Sequence, residues 1–364
     1  MLKQNFGILI AISILLNSCS GAWYIGFLAQ LETHEVETPQ YQSAEWELEE
    51  LPGVETLYDK AEKSDGLRSL LVVKNGILVA EWYADGYSRE RAENIKSASK
   101  SIISALVGIA INKGYIGSID QPIFEILPEF FPPDSPDKRK ITIKHLLTMS
   151  AGFEFIENVN NYVYLSDNWT KSILKLPLSR SPGSGFGYGT IQTHLLSAIL
   201  TKVSGTDTLA FAQTHLLDHM SISINRWDRA PEGIYFGGSE MYMTPRDIAA
   251  FGQLYLQKGQ FKGKQLVPRE WVSRSLEPSF NEVWGGDSYG FCWWIKQIAG
   301  YRSYYALGYG GQMIMNIPEL DLVIVFTGNY PPLFLDHKKR EQDLENLTVL
   351  EILPLIMQKP GSKL

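Results

Sequence analysis

The residues with the clearest chemical potential lie in the segment IKSASKSIISALVGIAINKGYI, residues 95–116. Ser97 and Lys100 are three positions apart, so a helix beginning here places both side chains on one face. A serine hydroxyl becomes a good nucleophile only when a neighbouring base removes its proton, and the Lys100 amine is the nearest candidate. To act near neutral pH, the lysine pKa must fall from about 10.4 to roughly 7 or 8.

Three effects lower a lysine pKa: burial in apolar surroundings, the positive end of a helix dipole and a nearby cation, here Lys96. The following residues provide apolar surroundings, because Ser104 is the only polar side chain between Ile102 and Ile111. A helix that is apolar on all sides runs through the protein interior. Its first turn also offers backbone N–H groups, including that of Ser97, as half of an oxyanion hole.

The S-x-x-K spacing alone is weak evidence, since it recurs at residues 135–138 and 172–175. The first of these copies lies in a proline-rich charged loop, and the second lies on a short amphipathic helix whose lysine can face water. Only the copy at 97–100 opens a buried helix. The alternative is that Ser97 caps the helix beside a solvated lysine.

Strand and helix patterns surround this segment. Two β-rich runs flank Asn75-Gly76 within residues 69–84, which is the strongest short signal for a hairpin. Further strand-like runs follow one another between 289 and 329, which predicts antiparallel pairing. Helical patterns occupy residues 142–149, 170–176, 193–205, 244–259 and 341–358. The predicted fold class is α+β: an antiparallel sheet flanked by helices in a domain spanning 51–355, with a mostly helical subdomain inserted at about 118–240.

The N-terminal residues 1–31 predict export, because one lysine precedes an apolar run that is too short to cross a bilayer alone. The sequence LLNSC ending at Cys19 is typical of a lipoprotein signal, whose cysteine is acylated after cleavage. The alternative is an uncleaved anchor from Phe6 to Leu31. Either predicts a protein tethered to a membrane in the periplasm or cell envelope, with the Glu-rich residues 32–50 as a solvated tether.

The composition excludes several other classes of function. A net charge of −7 with scattered Lys and Arg gives no electrostatic footprint for nucleic acid. His215 and His219 have helical metal-ligand spacing but no third ligand nearby, and the glycine-rich residues 183–189 match no nucleotide-binding loop. We therefore expect no metal and no cofactor. With Cys19 acylated, Cys292 has no disulfide partner and is predicted to be buried core.

Several segments, in the same order along the chain, resemble the serine β-lactamase and penicillin-binding superfamily. The resemblance covers about residues 67–330 and is closest to the class C β-lactamases and the related esterases, D-amino acid peptidases and 6-aminohexanoate-dimer hydrolases. Several motifs in the correct order are more specific than any one of them. The matching segments lie at 95–116, 141–153, 181–200, 241–259 and 305–329.

This resemblance implies a role for each of three residues. Ser97 is the acylated nucleophile, Lys100 is its proton partner, and Tyr188 is the phenol or phenolate that passes a proton to the leaving group. It also implies that the Lys100 charge lowers the Tyr188 pKa from about 10. A second oxyanion N–H is expected near the end of the chain, with Tyr309 and Gly311 as candidate donors.

Two departures from the family pattern affect the expected substrate. The Tyr-x-Asn motif appears as Tyr188-Gly189-Thr190, and YALGYGGQ at 305–312 replaces the Lys-Thr-Gly triplet. Losing an ammonium clamp argues against substrates recognised by a carboxylate. We therefore expect a serine hydrolase acting on a small ester, amide or peptide. The alternatives are a penicillin-binding or sensor protein with little turnover, and a true β-lactamase or D-amino acid peptidase.

Overall fold

The computed structural model describes residues 44–154, 162–330 and 334–358. Its strands form one large antiparallel sheet and two small ones. They are β1 (Leu67–Lys74), β2 (Ile77–Tyr83), β3 (Glu93–Asn94), β4 (Arg226–Trp227), β5 (Met241–Met243), β6 (Gln260–Phe261), β7 (Lys264–Gln265), β8 (Phe280–Trp284), β9 (Asp287–Tyr289), β10 (Trp294–Ile298), β11 (Tyr301–Gly308), β12 (Gln312–Ile317) and β13 (Leu322–Gly328).

The large sheet has eight strands in the order β2-β1-β13-β12-β11-β10-β9-β8. The N-terminal hairpin therefore pairs with the last strand of the C-terminal series, which joins the two ends of the folded domain. The other sheets have the orders β3-β5-β4 and β6-β7. The predicted α+β class with an antiparallel sheet is confirmed.

Helices pack on the sheet and fill the insert between β3 and β5. They are α1 (Val54–Glu62), α2 (Ser99–Asn112), α3 (Ile143–Leu147), α4 (Trp169–Lys175), α5 (Thr190–Ser204), α6 (Thr208–Ala212), α7 (Asp218–Met220), α8 (Pro245–Leu256), α9 (Arg269–Ser275), α10 (Phe334–Leu347) and α11 (Leu353–Met357). Helix α8 contacts β1, β12 and β13, whereas α2 contacts α5, α9 and β11. Helix α2 thus connects the sheet to the helical insert.

The hairpin of β1 and β2 turns at Asn75 and Gly76, as the sequence predicted. Both residues have positive φ angles, 51° and 79°. A two-residue turn with positive φ at both positions matches the right-handed twist of the flanking strands, and Asn-Gly adopts it readily. The turn pairs Lys74 with Ile77, and the β1 residues from Ser69 to Val73 are all buried.

Helix α2 runs through the interior because its side chains are apolar on every side. Every residue from Ser99 to Ala110 is buried. Gly108 allows α9 to approach closely, since a Cβ atom there would lie 2.3 Å from the ring of Trp271. Close packing therefore holds the helix rigidly in the interior, and it also restrains the first turn of the helix.

The N-terminal border of the folded domain differs from the prediction. Residues 44–50 belong to the predicted solvated tether, yet Ala44 is buried and its N–H donates to Asp247 Oδ1 at 2.8 Å. Leu48 forms a bridge with Leu78 on β2. The folded body therefore begins before the predicted boundary at Leu51, because backbone pairing with β2 offsets the polar composition of this segment.

The predicted export signal at 1–31 and residues 32–43 of the predicted tether lie outside the described residues. In the part of the chain that the structure describes, no helix combines the length and apolar character needed to cross a bilayer.

Candidate active site

Ser97 lies in a single 3-10 turn, Lys96–Ala98, that leads directly into α2. We call this segment the nucleophile turn. Its entry is fixed by the Ile95 N–H, which donates to Met241 O at 2.9 Å. The end of β11 lies against the nucleophile turn, since a Cβ atom at Gly308 would lie 2.2 Å from Ile95 O. Glycine at 308 therefore allows the strand to lie directly beside the nucleophile.

Lys100 is almost completely buried, with 1% of its surface exposed. Its Nζ atom donates to Ser97 Oγ at 2.8 Å, to Gly238 O at 2.7 Å and to Thr190 Oγ1 at 3.2 Å. Burial lowers the pKa of Lys100 to about 7, with a smaller opposing effect from Cys292. A substantial share of the side chain is therefore a neutral amine near pH 7, placed to accept the Ser97 proton.

The expected contribution of Lys96 to this pKa has no geometric support. The Lys96 ammonium forms an ion pair with Glu240 at 2.8 Å, which balances its charge locally. The expected fall of the Lys100 pKa is thus confirmed, and its main cause is loss of hydration.

Tyr188 lies two residues before the start of α5 and lines the same cavity as Ser97. Its ring lies 5.3 Å, measured to the centroid, from Lys100 Nζ. Burial raises the Tyr188 pKa above its ordinary value, and a hydrogen bond with Ser97 only partly opposes this rise. The expected lowering of the Tyr188 pKa by Lys100 is wrong, because burial disfavours the phenolate more strongly. Tyr188 is therefore a neutral phenol near pH 7, suited to donate a proton.

The loop before Tyr188 is held by a buried glutamine that the sequence did not single out. Gln192 on α5 donates from Nε2 to Gly187 O at 2.8 Å and accepts from the Ala151 N–H at 3.1 Å. The Gly187 N–H also donates to Met149 O at 2.7 Å. The segment around Met149 thus serves to fix the position of Tyr188.

A cavity of about 430 Å³ opens at Ser97 and Tyr188. Most of its apolar and aromatic lining residues come from the β8–β9 hairpin and from β10, β11 and β12. Its charged lining residues come from β9, β10 and α10. The lining residues are Trp284, Gly285, Asp287, Trp294, Lys296, Tyr305, Leu307, Gly308, Tyr309, Met313, Met315, Lys338, Glu341, Gln342 and Glu345.

Charged groups that line the cavity already contact neighbours within the chain. Lys296 Nζ lies 2.7 Å from Glu345 Oε2, and the Tyr305 hydroxyl donates to Asp287. Lys338 Nζ lies 5.5 Å from the centroid of the Trp284 ring. Cations are thus present in the cavity, but they are engaged by carboxylates or aromatic rings.

Comparison with known proteins assigns the chain to a family. The family model described as Beta-lactamase matches residues 54–347. The chain belongs to the Beta-lactamase family. It is 23% identical over 296 residues to the 6-aminohexanoate-dimer hydrolase of Paenarthrobacter ureafaciens, covering 72% of each chain. It is 25% identical over 302 residues to an uncharacterised protein of Alkalihalophilus pseudofirmus, covering 72% of this chain and 83% of that one.

Several solved structures share the fold. A Bacillus anthracis protein provisionally named a 6-aminohexanoate-dimer hydrolase superposes with a TM-score of 0.72 at 20% identity, over 94% of this chain and 96% of that one. EstCE1, a hydrolase with promiscuous acyltransferase activity, gives a TM-score of 0.68 at 15% identity, over 81% and 97%. The octameric penicillin-binding protein homologue from Pyrococcus abyssi gives 0.63 at 19% identity, over 83% and 78%.

Within this family site, the two departures noted in the sequence have structural consequences. Thr190 replaces an asparagine and contacts Lys100, so its hydroxyl helps to hold the amine. Tyr309 lines the cavity beside Ser97, whereas Gly311 packs against Arg340, whose Cδ atom would lie 2.9 Å from a Cβ at 311. This placement favours Tyr309 over Gly311 as the second oxyanion donor.

Proposed function

We propose that the protein is a serine hydrolase that cleaves an ester or amide through an acyl-enzyme at Ser97. One observation carries this proposal: a buried amine with a pKa of about 7 lies 2.8 Å from the Ser97 hydroxyl oxygen. A lysine with an unperturbed pKa would be almost wholly protonated at pH 7 and could not act as a base. Membership in the Beta-lactamase family supports the same assignment.

In the proposed acylation step, the Lys100 amine takes the Ser97 proton while Oγ attacks the substrate carbonyl carbon. The backbone N–H groups of Ser97 and Tyr309 stabilise the oxyanion of the tetrahedral intermediate. As this intermediate collapses, the Tyr188 hydroxyl gives its proton to the leaving alcohol or amine. The Lys100 ammonium then returns a proton to Tyr188, so that both groups regain their starting forms.

Deacylation reverses these roles with water in place of the leaving group. The neutral Lys100 amine takes one proton from the water as it attacks the acyl carbonyl, directly or by relay through the Tyr188 hydroxyl, which passes its own proton to Lys100 as it accepts one from the water. As the tetrahedral intermediate collapses, the Lys100 ammonium gives that proton to the released Ser97 oxygen, and the acid leaves. Two steps with lower barriers thus replace one difficult hydrolysis.

The cavity walls support an uncharged carbon chain next to the scissile bond. Trp294, Tyr305, Leu307, Met313 and Met315 form an apolar surface beyond Ser97. Two similar proteins are named for amide hydrolysis and for hydrolase activity with acyl transfer. We propose a small ester or amide whose recognition does not depend on a carboxylate, since Lys296 is paired with Glu345 and Lys338 lies over the Trp284 ring.

Covalent labelling tests the proposal directly. A fluorophosphonate probe should label the wild-type protein with one equivalent, and Ser97→Ala should abolish that label. Intact-protein mass spectrometry after mixing with nitrocefin, penicillin, p-nitrophenyl esters and 6-aminohexanoate dimer then separates an enzyme from a sensor. Rapid product release supports hydrolysis. A persistent adduct with every reagent, or equal labelling of Ser97→Ala, would contradict it.

We also propose, from the sequence of residues 1–31, that the protein is exported and tethered to a membrane. Expression of the full chain in a bacterial host followed by fractionation tests this. Cys19→Ser should release the protein from the membrane fraction if lipid on Cys19 is the tether, and should leave it there if the segment Phe6 to Leu31 is an uncleaved anchor.

A further inference from the structure

A buried carboxylate contacts the nucleophile turn but does not line the cavity. Glu240 is 3% exposed. Its Oε1 atom lies 2.8 Å from Lys96 Nζ, and its Oε2 atom accepts from Asn94 Nδ2 at 2.7 Å. Asn94 Oδ1 in turn accepts from the Lys96 N–H at 2.9 Å. These contacts close a ring through Asn94, Lys96 and Glu240, with Ser97 as the next residue in the chain.

The backbone at both ends of this ring is in an unfavourable conformation. Lys96 has a φ angle of 48°, and Glu240 has a φ angle of 55°. Residues with side chains occupy this left-handed region only when their surroundings hold them there, and such strain is concentrated at functional sites. The pairing of β3 with β5 supplies part of that restraint, and the ion pair of Lys96 with Glu240 supplies more.

The segment that carries Glu240 also contacts Lys100. Gly238 lies two residues before Glu240, and its carbonyl oxygen accepts from Lys100 Nζ at 2.7 Å. Within residues 238–240, the Glu240 carboxylate thus contacts Lys96, the residue before Ser97. The Gly238 carbonyl contacts Lys100, the candidate base. The relative position of Ser97 and Lys100 depends on one short stretch of chain that contacts both sides.

We propose that Glu240 is a positioning residue for the acylation step. It fixes the nucleophile turn and, through the backbone of 238–240, the location of the Lys100 amine. This inference rests on the proposed acyl-enzyme function. Glu240 does not line the cavity and acts through Lys96, Asn94 and the backbone.

Glu240→Gln tests this role, because the change keeps the shape and removes the charge. Displacing reacting groups by about 1 Å costs up to about 10²-fold in rate, so kcat for a p-nitrophenyl ester should fall about 10- to 100-fold with little change in KM. Loosening the contact with Gly238 also lets water reach Lys100, so its pKa should rise and the acid limb of the kcat profile should move to higher pH.

A matched control comes from a second buried ion pair. Glu81 accepts two hydrogen bonds from Arg246, at 2.7 and 2.6 Å, and neither residue lines the cavity. Glu81→Gln should lower Tm but leave kcat per labelled active site and the acid limb at their wild-type values. If Glu240→Gln behaves in the same way as Glu81→Gln, the proposal is wrong.

The double variant Lys96→Met/Glu240→Gln covers the case in which Glu240→Gln does not fold. It leaves no unpaired buried charge, so it should fold. If Glu240 is a positioning residue, kcat of the double variant stays low and the acid limb stays at higher pH. Recovery of both to wild-type values would show that Glu240 only balances the charge of Lys96, and would overturn the proposal. A wild-type protein that fails to label at Ser97 instead overturns the proposed function, and this inference with it.

Discussion

Lys100 Nζ lies 2.8 Å from Ser97 Oγ, and the lysine has a pKa of about 7 because it is buried. The rate of acylation should therefore rise with pH through about pH 7, as one proton leaves Lys100. Since burial raises the Tyr188 pKa, the rate should not fall again at mildly alkaline pH. Single-turnover acylation by a p-nitrophenyl ester between pH 5 and 9 measures this. A rate that shows no midpoint near pH 7 within this range would contradict the lowered pKa of Lys100.

The same buried lysine should make stability depend on pH. The unfolded chain holds the Lys100 proton up to its ordinary pKa of 10.5, whereas the folded chain releases it at about 7. Stability therefore rises with pH between these values, by about 4 kcal/mol from this group alone. Lys100→Met lacks this gain. Denaturant unfolding of both proteins at pH 7 and pH 10 should show the difference, and parallel curves would contradict it.

Tyr188→Phe should slow the cleavage of poor leaving groups far more than good ones. An alkyl alcohol or amine must be protonated as it departs, whereas p-nitrophenolate leaves unaided. We expect a loss of about 10²- to 10³-fold in kcat/KM for an alkyl ester or amide and less than about 10-fold for a p-nitrophenyl ester. Equal losses for both substrates would show that Tyr188 does not act as the proton donor.

Gly308→Ala should separate β11 from the nucleophile turn. The added Cβ would lie 2.2 Å from Ile95 O and 3.1 Å from Lys96 Cβ, and backbone cannot move aside cheaply. We expect a loss of stability of about 1–3 kcal/mol and a clear fall in kcat, measured by denaturant unfolding and ester hydrolysis. Gly117→Ala is the control, since its nearest contact is Gln121 at 3.4 Å. Matching kcat values for the two variants would argue against this contact.

Trp284 should influence the choice of acyl group. Its ring lies 5.9 Å from that of Trp294 and is 40% exposed. Trp284→Ala removes apolar surface worth about 1.5 kcal/mol, so KM for long-chain or aryl esters should rise about 10-fold while acetate esters are unaffected. Trp284→Phe should retain most of the preference. A uniform change across all acyl lengths would place the acyl group elsewhere.

Local signals predicted most of the fold. Thr244 caps α8 through a hydrogen bond from the Asp247 N–H, with Pro245 at its first turn, and Gly205 ends α5 with a φ angle of 70°. Each of these ends is determined by one or two residues, so the sequence reveals it. The early start of the folded body at Ala44 depends on contacts with Asp247 and Leu78, which are distant in sequence.

The same distinction between local signals and contacts distant in sequence applies to the site. The motif spacing predicted Ser97 and Lys100, the family resemblance predicted Tyr188, and the apolar helix after Lys100 predicted the fall of the Lys100 pKa. The contacts of Thr190, Gly238 and Glu240 could not be predicted, because each joins residues 90 or more positions apart in the chain. The direction of the Tyr188 pKa shift was missed because it depends on how far its hydroxyl is buried.

Helix α10 contributes Lys338, Glu341, Gln342 and Glu345 to the cavity, although it lies far along the chain from Ser97. Ser97, Lys100 and Tyr188 are thus carried by segments separate from the one that supplies these four lining residues. Substitutions in α10 can alter which molecules enter without disturbing the amine beside Ser97. Descendants of one ancestor could acquire new substrates by this route while keeping the same reaction.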